Sequence, residues 1–94
     1  MLNMIKSFKH KGLQAYFETG VTKGIQSAHK KKINGILDLI DNATSETEFK
    51  MFYQCHPLKG DREGIWSMKV SGNWRITFEF INGDAYILNY EDYH

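Results

Sequence analysis

The sequence predicts an α+β fold, in which helices pack on one face of an antiparallel sheet. Three observations predict it. Ile33, Ile36, Leu37 and Ile40 recur at helical spacing in the first half. In the second half Trp66, Met68 and Val70, then Trp74, Ile76, Phe78 and Phe80, alternate with polar residues, as half-buried strands do. Between the last two apolar runs stands Asn82-Gly83, the dipeptide that best accommodates a two-residue hairpin turn.

The elements follow in order. Ile5-Lys6-Ser7-Phe8 alternates briefly and is expected to add an N-terminal strand to the sheet. A short helix is expected over Gly12–Glu18, stopped by Gly20. The apolar stripe from Ile33 to Ile40 predicts a second helix from about Ser27 to Asp41, with Lys30, Lys31, Asn34, Asp38 and Asp41 on its wet side. Ser45-Glu46-Thr47-Glu48 has the form of a capping box, predicting a third short helix through about Tyr53. Pro57 ends the helical half. Three C-terminal strands follow as a meander, turning at Ser71-Gly72 and Asn82-Gly83, the last over Ala85–Tyr90.

At 94 residues, with 41% hydrophobic, 24% charged and 14% aromatic residues, the chain is expected to form one folded domain over 1–94 with room for a single core. A site in so small a protein is expected to be an open surface cleft, because little volume is left for an enclosed cavity. The one cysteine, Cys55, cannot form an internal disulfide, which fits a reducing compartment such as the cytoplasm. No signal-peptide run and no stretch of about 18 apolar residues is present, so export and membrane insertion are not expected.

Charge is unevenly spread. Residues 1–32 carry Lys6, Lys9, Lys11, Lys23, Lys30, Lys31 and Lys32 against Glu18, a balance of +6, while residues 33–94 balance at −5. The lysines form either a polyanion-binding patch, gaining affinity by displacing counterions from phosphates, or a solvated face.

Strand parity gives the first functional clue. If Trp74, Ile76 and Phe78 face the helices, Arg75 points to the opposite, polar face with Thr77 and Glu79. The segment from Cys55 to Gly64 is dense in His, Lys and Arg and is expected to be a loop at the entrance to the sheet. Each residue there has a plainer reading: His56 before Pro57 as a turn residue, Lys59 and Arg62 as surface partners of Asp61 and Glu63. Cys55 beside His56 invites a thiolate reading, but adjacent side chains rarely point together. The four histidines and the cysteine show no metal-ligand spacing, and the glycines show no phosphate-loop pattern, so neither metal nor cofactor is expected. Lys, Arg, His, Asp and Tyr together are the groups needed to cut RNA through its own 2′-OH. A base takes that proton, cations hold the charge growing on the phosphate, and an acid protonates the leaving 5′-oxygen.

The chain resembles the HigB-type toxins of bacterial toxin–antitoxin modules, in the RelE/ParE-like superfamily. The resemblance covers essentially the whole chain and is carried by four stretches: residues 4–12; His56-Pro57-Leu58-Lys59-Gly60-Asp61-Arg62-Glu63-Gly64; Asn73-Trp74-Arg75-Ile76-Thr77-Phe78; and Glu91-Asp92-Tyr93-His94. Members typically begin at the equivalent of Met4, three residues into this chain. It implies a RelE-like domain and a ribosome-dependent endoribonuclease that cleaves mRNA in the decoding A site. It also implies a cognate helix-turn-helix, HigA-like antitoxin, through which alone the toxin meets DNA. The matching functional positions are His56, Lys59, Arg75, Asp92, Tyr93 and His94. Arg75 and Lys59 are expected to bind the scissile phosphate, with His56 and His94 as acid/base candidates. Tyr93 is expected to stack on a base or position the 2′-OH, and Asp92 to orient His94. Lys6, Lys9, Lys11, Lys30, Lys31, Lys32 and Arg62 are expected to contact ribosomal RNA. Two other readings share the fold: a ParE-like inhibitor of DNA gyrase, and an inactive co-repressor acting with its antitoxin.

Overall fold

Apolar side chains on one face of a meandering sheet need a cover, and two helices supply it in the structure, a computed structural model that describes residues 4–92. Strands β1 (His56–Pro57), β2 (Ile65–Ser71), β3 (Trp74–Ile81) and β4 (Asp84–Asp92) form one antiparallel sheet in that order. Helix α1 spans Lys11–Thr19 and α2 spans Lys30–Asn42, the latter entered through a 3-10 turn at Ser27–His29. No helix among the described residues is long and apolar enough to cross a membrane.

Both helices have local causes. His10 caps α1, its Nδ1 accepting the Leu13 N–H at 2.9 Å. Gly20, at φ +81°, closes it, donating its N–H to the Tyr16 carbonyl at 2.9 Å in a left-handed conformation that glycine adopts without a Cβ clash. The predicted stripe of α2 is its buried face: Ile33, Ile36 and Ile40 are fully buried and Leu37 nearly so, each contributing about 1.5–3 kcal/mol. Met68, Ile76, Phe78 and Leu88 belong to the same core.

The second half departs from the sequence reading in four places. The fourth strand is β1, not the N-terminus. Residues 4–10 run along the outer edge of β4 and form only two isolated parallel bridges, Ile5 with Ala85 and Phe8 with Leu88. Asp41 anchors the start of that segment, its Oδ1 accepting the N–H groups of Met4 and Ile5 at 3.1 Å each. The expected third helix is a single 3-10 turn, Glu46–Glu48. Ser45 stands at its N-cap but makes no side-chain cap bond; Glu48 reaches back one residue further, accepting from the Thr44 N–H and hydroxyl at 2.7 and 2.9 Å, which lowers the Glu48 carboxyl. The helix cannot continue, because Phe49 turns into the core against Trp66, Phe78 and Phe80, and Tyr53 and Gln54 take left-handed φ values of 54° and 51°. The first hairpin turn sits one residue later than expected, at Gly72-Asn73 between the paired Ser71 and Trp74.

The fourth departure decides the site. Near the hairpin, β3 and β4 pair as the Asn82-Gly83 turn dictates, Ile81 with Asp84 and Glu79 with Tyr86. Between Thr77 and Glu79 the register shifts by one residue, at exposed Ile87 with its φ of 51°. A bulge exchanges the faces of everything beyond it. Thr77 therefore opposes Asn89, Ile76 opposes Tyr90 and Arg75 opposes Glu91.

Candidate functional site

The sheet face turned away from the helices carries the site, and its rows follow from the registers. One row is Lys69, Arg75 and Glu91, from β2 to β4. The next is His56, Ser67, Thr77 and Asn89, from β1 to β4. Parity thus puts Arg75 and Thr77 opposite the helices, as the alternation predicted. This face is less open than expected at its centre, where Ser67 and Thr77 are buried.

The centre is a carboxylate that the sequence reading did not select. Glu91 accepts from Arg62 through two parallel bonds, Nη1 to Oε1 at 2.7 Å and Nη2 to Oε2 at 2.9 Å. Its Oε2 also accepts from Thr77 Oγ1 at 3.1 Å and Asn89 Nδ2 at 2.9 Å. These bonds, Arg62 first, hold the Glu91 carboxyl below its ordinary range against the opposing effect of burial. Arg62 lies in the 3-10 turn Gly60–Arg62 between β1 and β2. Its bond to Glu91 ties this turn, across the sheet, to β4. The guanidinium of Arg62 is thereby engaged with a carboxylate distant in sequence, within the protein itself.

Arg75 is placed differently. It is half-buried, directly opposite Glu91, and its Nη1 donates to the Gly72 carbonyl at 3.4 Å. Among the described residues no carboxylate lies within ion-pair distance of it. A planar cation whose charge no described carboxylate offsets is suited to binding an anion. Gly72 also lines an open cleft of about 380 Å³ with Lys32, Tyr53, Gln54 and Lys69, which extends the positive surface beyond Arg75. A second open cleft, about 440 Å³, lies between α1 and α2 and holds none of the candidate catalytic residues.

The remaining expected residues divide. His56 is exposed at the sheet edge, in the row next to Arg75's, its Nδ1 3.3 Å from the Pro57 carbonyl. Lys59 is exposed. Asp92 ends β4 opposite Trp74, so its parity is that of the helix-packed side and not of Arg75. Tyr93 and His94 lie outside the described residues. Cys55 is not poised as a nucleophile, since burial pushes its thiol up to about 12.

Of the expected RNA contacts, Lys9, Lys11, Lys30, Lys31 and Lys32 are exposed, and Lys6 is exposed with a 4.0 Å approach to Asp84. Aromatic contacts gather two of these segments at one place. His10 packs edge-on to Tyr90 at 5.5 Å between ring centres, while His29 Nδ1 meets the Tyr90 hydroxyl at 2.6 Å. Lys9, Lys11 and Lys30 flank these histidines, at the end of β4 that carries Glu91 and Asp92.

Two comparisons with known proteins bear on this arrangement. The family described as RelE-like toxin of type II toxin-antitoxin system HigB matches residues 6–94. The curated protein Endoribonuclease HigB of Proteus vulgaris is 63% identical over 92 residues, which cover 97% of this chain and 100% of that protein.

Proposed function

The chain belongs to the HigB-like toxins of type II toxin–antitoxin systems, and from that premise we propose that it arrests translation by cutting mRNA in the ribosomal A site. It is a toxin with endoribonuclease activity, as its relative is named, and its family pairs toxin with antitoxin. Dependence on the ribosome, action in the cytoplasm and restraint by a HigA-like helix-turn-helix antitoxin are parts of the proposal.

The observation that carries it is Arg75, a cation on the polar sheet face with no carboxylate partner among the described residues. In 2′-OH attack the phosphate passes through a state with an added negative charge, and a fixed guanidinium is stronger for that state than for the ground state. Arg75 holds the scissile phosphate and Lys59, just before the turn that Arg62 ties to β4, adds charge to it. His56, one row away, and His94 exchange protons with the 2′-OH and the leaving 5′-oxygen. Tyr93 stacks on the substrate base or positions the 2′-OH, and Asp92 acts on the phosphate only indirectly, by orienting His94. No step in this scheme calls on a cofactor.

The test is cleavage of mRNA on programmed ribosomes by purified Arg75→Ala and His94→Gln. Loss of one fixed charge from the transition state is expected to lower the rate on the order of 10²–10³-fold. Near wild-type rates for both variants would remove the proposed chemistry.

A further inference from the structure

Arg75 and Glu91 stand directly opposite each other on adjacent strands, where an Arg–Glu pair ordinarily closes, yet here it is open. The reason is visible one residue away. Glu91 is already engaged: Arg62 takes both carboxylate oxygens at 2.7 and 2.9 Å, and Oε2 accepts in addition from Thr77 and Asn89. Three of these four bonds fall on Oε2 and one on Oε1, and the charge of the carboxylate is already met by the Arg62 guanidinium.

We propose that Arg62 is a positioning residue, a built-in shield whose work is to occupy Glu91 and so leave the Arg75 guanidinium for the scissile phosphate. This deepens the functional reading above and rests on its assignment of Arg75. Without Arg62, the Glu91 carboxylate loses two charge-assisted bonds while its side chain is only 20% exposed. The nearest replacement cation in the sheet is its cross-strand partner. Arg75 then closes onto Glu91, its fork is neutralised, and the site holds a carboxylate where it must accept an anion. The Arg62–Glu91 pair therefore does more than fasten the Gly60–Arg62 turn to β4. It decides which of two arginines the site presents to RNA.

A brace and a shield differ in what the double variant does. If the pair only braced the loop, removing Glu91 from a protein already lacking Arg62 would bring no recovery. Under the shield reading it removes the inhibitor. The experiment measures kcat/KM for mRNA cleavage on programmed ribosomes by Arg62→Ala, Glu91→Gln, the double variant and Arg75→Ala, with thermal melts confirming that each is folded. Arg62→Ala is expected to lose roughly tenfold or more, part of what losing Arg75 costs, and Arg62→Ala/Glu91→Gln is expected to recover most of that loss. If the alanine variant does not fold, Arg62→Met, matched in length, runs the same cycle. Full activity in Arg62→Ala, or a double variant no better than the single, overturns the shield while an inactive Arg75→Ala leaves the role of Arg75 standing. An active Arg75→Ala overturns both.

Discussion

Truncating Phe49 to alanine tests whether a segment without regular structure is held by one ring. Phe49 follows the 3-10 turn Glu46–Glu48, is fully buried, and meets Trp66, Phe78 and Phe80 at centroid distances of 5.4, 5.3 and 4.9 Å, all edge-to-face. Large-to-small truncation of a buried Phe costs about 3–5 kcal/mol through reduced transfer free energy and the cavity left behind. Stability near 0.05–0.15 kcal/mol per residue gives a protein of this length about 5–14 kcal/mol in total. The variant thus gives up a large share of its stability, and at about 4–8 °C per kcal/mol its melting temperature falls by at least about 12 °C. Urea unfolding followed by tryptophan fluorescence is well suited, because Trp66 is one of the three rings in contact. Phe52→Ala is the control: its ring is 52% exposed in the same segment, so its change stays within about 0.5 kcal/mol. A Phe49→Ala variant that loses under about 1 kcal/mol would refute the anchoring role of this ring.

Two other perturbations have signed outcomes. The Glu91 carboxyl is depressed in the folded protein, chiefly by Arg62. Its contribution is therefore present above the unfolded value of roughly 4.3 and lost as pH falls through the lower folded value. Urea midpoints of wild type are expected to drop across that acid window, and Glu91→Gln to flatten this part of the curve; parallel curves would contradict the pairing. For the lysines, replacing Lys30, Lys31 and Lys32 by Gln is expected to weaken ribosome binding and to reduce its log–log salt slope by about 0.7–0.9 for each phosphate that is no longer neutralised. An unchanged slope identifies the run as a solvated face.

Where alternation or helical spacing ran undisturbed, the fold was legible. The stripe of α2, the glycine stop of α1, the strands and the side of Arg75 all follow from period and turn chemistry. What was hidden traces largely to two non-local events. Phe49 left a plausible helix because its ring was needed under the sheet, so tertiary packing overrode the capping signal at Ser45. The bulge at Ile87 is the more consequential. Counting outward from Asn82-Gly83 with no bulge sets Tyr90 across from Arg75 and sends Glu91 to the helix side. Nothing in Tyr86-Ile87-Leu88 marks the extra residue, since a left-handed β-branched residue is uncommon. The shift puts Tyr90 into the core beside Trp74, 4.6 Å between ring centres, and sends Glu91 to the polar face. Asp92 is singled out by the resemblance and not by the register, and the carboxylate that the register brings to the polar face is its neighbour Glu91.

The same shift bears on how a chain of net charge +1 holds a polyanion although residues 33–94 are acidic. Among the described residues, two of those carboxylates meet cations of the protein itself: Asp84 approaches Lys6 at 4.0 Å, and Glu91 is held by Arg62. A carboxylate paired with a cation presents only a dipole to a strand of RNA approaching from beyond a Debye length of about 8 Å, whereas an unpaired charge is felt in full at close range. Lys30, Lys31 and Lys32 stay exposed, and Arg75 has no carboxylate partner among the described residues. The field that RNA meets is set by which charges remain uncompensated rather than by the net count. The Glu91 register is where that selection is made beside the proposed chemistry, because a one-residue change in it would exchange a neutralised carboxylate for a phenol across from Arg75.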